Sequence, residues 1–226
     1  MRKTAAAVLV SVLFAVLTAC GSADRVATPA APAFTATTVK LEGPWYSFDL
    51  PQVEGGPDDA RTDFNEGLRA ELDPFLRDAA ETRKVSGFHS EVAHIGRHVL
   101  SGVLGIEVAD GYLHPITFKR THVTDIDTGK ALTLPDLFTD LPKALARLSA
   151  QAEVQIPKTR VGPNPYDKQR IAPAVENFKD WLAMPDGLRV YLGEIASHAL
   201  GYIDITIPWS ELDGVLKPGL RAVVSS

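Results

Sequence analysis

The stretch HVLSGVLGIEVADGYLHPITFKRTHVTDIDTGK (98–130) determines the fold class of this chain. Its two long runs of apolar and β-branched residues are separated by Asp110-Gly111, which is a strong turn signal. The second run ends at another turn, Asp127-Thr128-Gly129-Lys130. The stretch SGFHSEVAHI (86–95) precedes both runs and connects to them through Ile95-Gly96-Arg97. The pattern therefore predicts three successive antiparallel strands.

The segments on both sides of these strands mix helices with further strands. Because they show no regular strand–helix–strand rhythm, the sequence predicts an α+β fold in one domain, with a mostly antiparallel sheet. The predicted elements are a strand at 45–50 ended by Pro51, a helix at 58–83 kinked or interrupted at Pro74, a helix at 141–155, a short helix at 173–181, strands at 188–195 and 201–208, and a last helical turn at 209–216.

The N-terminus has the pattern of an export signal. Arg2 and Lys3 precede an uncharged apolar run over residues 4–16, which is too short to span a bilayer as a helix. Leu17-Thr18-Ala19-Cys20 then resembles the lipobox of bacterial lipoproteins. The resemblance implies removal of the signal peptide, residues 1–19, and diacylation of Cys20, with palmitate as an expected acyl group. The chain would then be lipid-anchored on the extracytoplasmic face of the cell membrane; a short membrane anchor and an ordinary cleaved signal are the alternatives.

The composition behind this signal bounds the functions of the chain. Residues 20–43 are rich in Ala, Pro and Thr, which predicts a flexible tether, and residues 44–226 form the predicted folded domain. Removal of Arg2 and Lys3 reduces the 23 basic residues to 21, against 28 acidic residues. This acidic balance argues against nucleic-acid binding. Cys20 is the only cysteine, so its lipidation leaves none for a disulfide.

Three histidines are the candidate metal ligands. His94 and His98 are four residues apart, and His89 is near enough in sequence to join them across the predicted turn. Zinc sites use three or four ligands and no HExxH motif is present, so histidines without a metal are the favoured interpretation. Asp125 and Asp127 superficially resemble part of a calcium loop, but a turn supported by aspartate side chains fits better. No cofactor is predicted.

Hydrolase chemistry has weak support in the sequence. No Gly-x-Ser-x-Gly motif occurs, so no nucleophile elbow is predicted. A weak esterase would still need one specific serine, for which Ser90 and Ser197 are the candidates. Ser197 and His198 are neighbours, but neighbours on a strand point to opposite faces, so their adjacency does not indicate a catalytic pair.

Four aromatic residues cluster near the C-terminus: Trp181, Tyr191, Tyr202 and Trp209. They lie on the apolar phase of their segments, which predicts that most belong to the core. Binding platforms for glycans or peptides are the alternative, and Trp209, directly after Pro208, is the one expected at a rim.

Two stretches resemble a known family. DTGKALTLPDLF (127–138) and FKDWLAMPDGLRVYLGEIASHALGYIDITIPWSEL (178–212) are similar to the two signatures of RsiV-like, or DUF3298, domains. That family includes extracytoplasmic domains of lysozyme-sensing anti-sigma factors and secreted mycobacterial immunogenic proteins. The resemblance implies an α+β fold, with a curved antiparallel sheet and helices packed on it. The matching residues define the fold and are not catalytic.

These observations predict a membrane-anchored extracytoplasmic lipoprotein with a non-enzymatic binding domain. Its partner would be an extracytoplasmic protein, such as a lysozyme-like protein, or a cell-wall ligand. Here the segment before His114 and the residues 197–200 depart from the family pattern, so lysozyme binding does not follow from the resemblance alone. The alternative is a weak secreted esterase or other hydrolase that acts on lipid or cell-wall esters.

Overall fold

The computed structural model describes residues 33–111 and 114–226. Within this part of the chain there are ten strands and three α-helices, arranged as two mostly antiparallel sheets. The strands are β1 (Thr35–Gly43), β2 (Tyr46–Glu54), β3 (Arg83–Gly87), β4 (Glu91–Ile95), β5 (Val99–Asp110), β6 (Ile116–Asp125), β7 (Lys130–Ala131), β8 (Trp181–Met184), β9 (Gly187–Leu192) and β10 (Ile203–Pro208). The helices are α1 (Asp58–Arg77), α2 (Leu141–Gln155) and α3 (Leu220–Val224).

The large sheet has the strand order β1-β2-β3-β5-β6-β7, with β4 beside β5. All its pairs are antiparallel except β2 with β3. β5 and β6 pair from Val99↔Asp125 to Val108↔Ile116, which confirms two of the three predicted antiparallel strands, whereas the predicted strand at 86–95 is split into β3 and β4. The small sheet has the order β10-β9-β8 and is antiparallel. The α+β class and the mostly antiparallel pairing are thus confirmed, with two sheets in the domain.

Helix α1 covers one face of the large sheet. Its Phe64, Leu68 and Leu72 recur at helical spacing and are fully buried. They share a hydrophobic cluster with Leu100 and Leu104 of β5. Gly102 lies between these two leucines on β5. A Cβ atom at this position would come within 2.7 Å of Leu68 and Phe64, so a larger residue does not fit. The close approach of helix and sheet therefore depends on a residue without a side chain.

The small sheet and α2 cover part of the opposite face. β8 is an edge strand of the small sheet and lies beside β5 and β6. On its unpaired edge, hydroxyl groups of the large sheet bond to its backbone, as a neighbouring strand would. Ser101 Oγ donates to the Ala183 carbonyl oxygen at 2.8 Å and accepts from the Ala183 N–H at 3.1 Å. The Trp181 N–H donates to Thr121 Oγ1 at 3.0 Å. Since unpaired buried backbone groups are costly, these bonds allow an edge strand to be buried.

The predicted tether is wrong for its last residues. Residues 35–43 form β1, which pairs with β2 along its whole length. The β-branched Thr37, Thr38 and Val39 favour a strand, and β2 supplies a partner that composition does not reveal. The predicted signal peptide, Cys20 and the first part of the tether lie outside the described residues.

Pro51 does not end β2, which continues to Glu54. β3 pairs with β2 only at Tyr46 and Ser47, so one edge of β2 is unpaired at Pro51. A residue without an N–H is tolerated at such an edge.

The predicted helices also need two corrections. α1 ends at Arg77 and not at Arg83, because Arg83 begins β3. The predicted helix at 173–181 is limited to one turn of 3₁₀-helix at Val175–Asn177, and Trp181 is already part of β8. None of the described helices is both long and apolar enough to cross a membrane.

Candidate functional site

A cavity of about 840 Å³ opens where the small sheet stops covering the large one. One wall is formed by the second half of β5 and by the start of β6, and the opposite wall by the outward face of β9 and β10. Loops around His89 and His198 form the rim. The two walls carry Glu107, Thr117 and Lys119 on the large sheet and Arg189, Tyr191 and Asp204 on the small sheet.

A break between β3 and β4 shapes one side of this cavity. The Phe88 N–H donates to the Gly105 carbonyl oxygen at 2.9 Å, and the Gly105 N–H donates to Ser90 Oγ at 3.0 Å. A Cβ atom on Gly105 would lie 1.8 Å from the Phe88 carbonyl oxygen, so only glycine fits there. His89, between them, has a φ of 46°, in the left-handed region that residues with a Cβ rarely adopt. This tight crossing holds Phe88 and His89 at the cavity.

Lys119 lines the cavity and contacts two aromatic rings there. Its Nζ lies 4.7 Å from the centre of the Phe88 ring and 5.7 Å from that of Tyr191, within the range of cation–π attraction. Nζ also donates to the His89 carbonyl oxygen at 3.4 Å. Burial lowers the pKa of Lys119, and the negative charges of Glu91 and Asp204 only partly oppose this shift.

The cavity carries charges of both signs. Its cations are Lys119, Arg160 and Arg189, and its carboxylates are Glu91, Glu107 and Asp204. Among the described residues, none of these six forms an ion pair with a nitrogen–oxygen distance of 4.0 Å or less. The site therefore holds charged groups that a ligand can pair with, next to aromatic rings that can contact its apolar parts.

A hydrogen-bonded histidine and carboxylate stand at the rim. His198 Nδ1 lies 2.6 Å from Glu194 Oε1, and the His198 side chain is exposed and lines the cavity. A carboxylate that orients a histidine in this way is one part of a general-base arrangement. No serine or cysteine is among the described residues that line the cavity.

The three predicted metal-ligand candidates are not brought together. His94 Nε2 lies 2.8 Å from the Ser226 backbone oxygen, and His98 Nδ1 lies 2.8 Å from Asp127 Oδ2. His89 lines the cavity instead. Across residues 33–111 and 114–226, no group of three or more His, Cys, Asp or Glu residues has a geometry that could hold a metal ion.

The turn after β6 is held by Asp125, as the sequence predicted. Asp125 Oδ1 accepts from the N–H groups of Asp127 and Thr128 at 2.9 and 3.1 Å. Gly129 has a φ of 64°, which suits a residue without a Cβ.

The two candidate serines have different surroundings. Ser90 Oγ is engaged by both backbone groups of Gly105, because it also donates to the Gly105 carbonyl oxygen at 3.2 Å. Ser197 is exposed and precedes the short 3₁₀-helix His198–Leu200. Neither serine hydrogen-bonds to a histidine side chain within the described part of the chain.

The aromatic residues divide between core and cavity. Trp181 and Trp209 are buried, which confirms the core prediction for Trp181 and corrects the expected rim position of Trp209. The Trp209 Nε1–H donates to the Met184 carbonyl oxygen at 2.8 Å, and this bond explains why the indole can be buried. Tyr191 and Tyr202 line the cavity, and burial raises the pKa of Tyr191.

Sequence reasoning missed Lys119 and Asp180. Asp180 precedes β8, and burial raises its pKa to about 6 despite Arg120, whose Nη1 lies 3.5 Å from Asp180 Oδ2. A polar residue in an alternating strand normally faces solvent, so Lys119 gave no signal. Only the packing of a second sheet against β6 encloses it.

Comparisons with known proteins agree with this architecture. Residues 135–210 match a family described as "Protein of unknown function (DUF3298)". The fold resembles that of a DUF3298 family member from Bacteroides fragilis NCTC 9343, with a TM-score of 0.59 and 16% identity over 85% of this chain and 97% of that one. A DUF3298 family protein from Pseudomonas aeruginosa PAO1 gives a TM-score of 0.51 and 15% identity, with the same coverage. No curated protein matches this chain. At these identities the two solved structures inform the fold alone.

Proposed function

We propose that this chain, of which residues 135–210 match the DUF3298 family, is a lipid-anchored binding protein of the cell envelope whose cavity holds part of a cell-wall polymer without converting it. The observation that carries the proposal is the cavity between the two sheets, which combines aromatic rings with charges of both signs that form no ion pair with another described residue. Concave sites of this kind bury a ligand and orient it through a few polar groups. A cavity suits a narrow polymer segment better than a flat protein surface.

The anchor is the second part of the proposal. The lipobox-like sequence that ends at Cys20 supports lipidation at this residue. Two acyl chains hold a protein at a bilayer much more firmly than one chain does. A domain anchored in this way would stay beside the wall, where its ligand is abundant, so modest affinity would suffice.

The anchor is tested by expressing the full chain in a bacterium that processes lipoproteins. We expect the protein to fractionate with membranes and to incorporate labelled palmitate, and Cys20→Ala to abolish both. Release of the unmodified protein into the soluble fraction would contradict the anchor.

Ligand binding is tested by co-sedimentation of the full chain with purified cell-wall sacculi. Ala199→Trp places a large side chain in the cavity rim, so we expect it to reduce sedimentation at least tenfold. Ala150→Trp is the matched control, because Ala150 is exposed on α2 and does not line the cavity. Equal sedimentation of both variants would place binding elsewhere. Binding to lysozyme but not to sacculi would replace the wall ligand by a protein partner, in line with the RsiV-like resemblance.

The competing candidate is a weak esterase, and the contact between His198 and Glu194 is the observation in its favour. It predicts hydrolysis of short acyl esters, with a rate that falls at least a hundredfold in His198→Gln. Ser90→Ala and Ser197→Ala would identify the nucleophile if one of them also removed the activity. Turnover at the rate of a buffer blank would dispose of this candidate.

A further inference from the structure

The charges of the cavity lie at two depths. Lys119, Arg189 and Glu107 are partly buried, whereas Arg160, Glu91 and Asp204 are exposed. Because Tyr191 and Asp204 are directly paired across β9 and β10, the aromatic ring and the carboxylate stand side by side on one wall. The inner part of the cavity therefore carries two cations and one carboxylate, and the outer part carries two carboxylates and one cation, so the charge is net positive inside and net negative at the rim.

The two inner cations, Lys119 and Arg189, form no ion pair with a described residue. Lys119 Nζ has one backbone oxygen at 3.4 Å and two aromatic rings, and burial is the largest influence on it. Lys119 projects from the large sheet and Arg189 from the small one, so an anion between the walls can meet both. A buried charge without a partner is costly, and a ligand carboxylate would remove that cost while it forms charge-assisted hydrogen bonds.

The outer carboxylates favour the opposite charge. Glu91 and Asp204 both act on Lys119 from the solvent side, and neither is engaged in an ion pair among the described residues. A cation at the rim would be attracted to them, although the high dielectric there makes this contribution smaller than the deep one.

From this arrangement we propose that the cavity recognises a short zwitterionic peptide, with its carboxylate held deep by Lys119 and Arg189 and its ammonium group at the rim near Glu91 and Asp204. The proposal rests on the proposed function, because it names the peptide part of a cell-wall polymer as the ligand of the same cavity. The rings of Phe88 and Tyr191 contact the side chains or backbone between the two charged ends.

Calorimetric titration of the full chain with the tripeptide Ala-Ala-Ala tests this orientation. Amidation of its C-terminus is expected to weaken binding at least tenfold, because the deep charge contact is lost. Acetylation of its N-terminus is expected to weaken binding about threefold, since the rim contact is solvated. Equal affinity for the free and the amidated peptide would overturn the proposal, as would a larger loss from acetylation than from amidation.

A pair of variants locates the carboxylate contact. Lys119→Met keeps the length of the side chain and removes its charge, so it should reduce the discrimination between free and amidated peptide at least threefold, with Arg189 left as the remaining contact. Lys143→Met, at an exposed position of α2 outside the cavity, should retain the full discrimination. Thermal unfolding of both variants confirms that they are folded, and full discrimination retained in folded Lys119→Met would refute the assignment.

The peptide and sacculus experiments distinguish the two proposals. Sacculi that bind in a manner sensitive to Ala199→Trp, while no peptide binds, would overturn the peptide assignment and leave the wall-binding function. Peptides that bind without any binding to sacculi would uphold the peptide site and overturn the wall as its source. Absence of both would overturn both.

Discussion

The two halves of β5 belong to one strand and pair with the same neighbour, yet their surroundings differ. Val99 to Val103 are buried between α1 on one face and the small sheet with α2 on the other. From Gly105 onward, Ile106 and Val108 still belong to the hydrophobic cluster that includes α1, but the opposite face opens into the cavity. One strand can thus belong to the core in one half and to a binding surface in the other, when the small sheet that covers it ends midway along the strand.

The chemistry of the two halves matches this difference. In the covered half, Ser101 points at β8 and satisfies its backbone, so its hydroxyl is structural. In the open half, Glu107 points into the cavity and has no ion pair with a described residue. Polar groups contribute to stability where they are buried and bonded, and they remain available to ligands where they are not.

The largest expected effect is at the point where the two halves meet. Gly105→Val would bring its Cβ against the Phe88 carbonyl oxygen, so the Phe88–Ser90 crossing has to move. We expect the free energy of unfolding to fall by about 3 kcal/mol, measured by urea denaturation. Gly214→Val is the control, because nothing lies within 4 Å of a Cβ there. Equal losses in the two variants would show that the crossing is not tightly packed.

The covered half is tested by Ser101→Ala. The change leaves the buried N–H and carbonyl of Ala183 without their partner, and it should lower the free energy of unfolding by about 2 kcal/mol. Ser210→Ala, at an exposed position, provides the baseline. An unchanged urea midpoint in Ser101→Ala would mean that β8 does not depend on this hydroxyl.

Asp180 lies directly before β8, where the small sheet contacts the large one, and its ionised form destabilises the folded protein. Its pKa is about 6 in the folded protein against 3.8 in the unfolded chain, because burial outweighs the attraction of Arg120. The folded state therefore holds the proton more tightly, and stability falls as the pH rises from about 4 to about 6. Asp180→Asn removes this loss, so its free energy of unfolding should exceed that of the wild type by up to about 3 kcal/mol at pH 7.5 and equal it at pH 3.5.

Urea denaturation at several pH values checks the Asp180 prediction. A wild-type protein that gains stability between pH 4 and pH 6 relative to Asp180→Asn would reverse the sign. It would then show that the ion pair with Arg120 dominates over burial.

The smallest effect is expected in the open half. Glu107→Gln removes a charge that has no ion-pair partner among the described residues, so the free energy of unfolding should change by less than about 0.5 kcal/mol. Measured beside Ser101→Ala, it compares two polar residues on the same face of the same strand. A loss as large as that of Ser101→Ala would remove the distinction between the two halves.

The sequence predicted the elements that local patterns encode. The β5–β6 hairpin was readable because its alternation and turn residues act over a few positions. The Asp125 turn was readable for the same reason. β1 was missed because its strand depends on pairing with β2, and the end of α1 was misplaced because β3 begins where the helical pattern fades. The end of a helix or strand has no local sequence pattern when it depends on contact with a segment that is distant in sequence.

Little of the candidate site was predictable. Lys119 and Tyr191 are distant in sequence, and each looks like an ordinary polar or half-buried strand residue on its own. Their meeting depends on Ser101 and Thr121, which dock β8 against the large sheet. Neither hydroxyl carries a sequence motif that would indicate this contact.

The sequence by itself determined the α+β class, the antiparallel hairpin and the family signatures, because these follow from residue periodicity and turn chemistry over short distances. The tertiary structure alone decided where the small sheet ends over β5, and with it which side chains became core and which became cavity. Burial is a property of the assembled layers, so the same alternating strand pattern serves both outcomes.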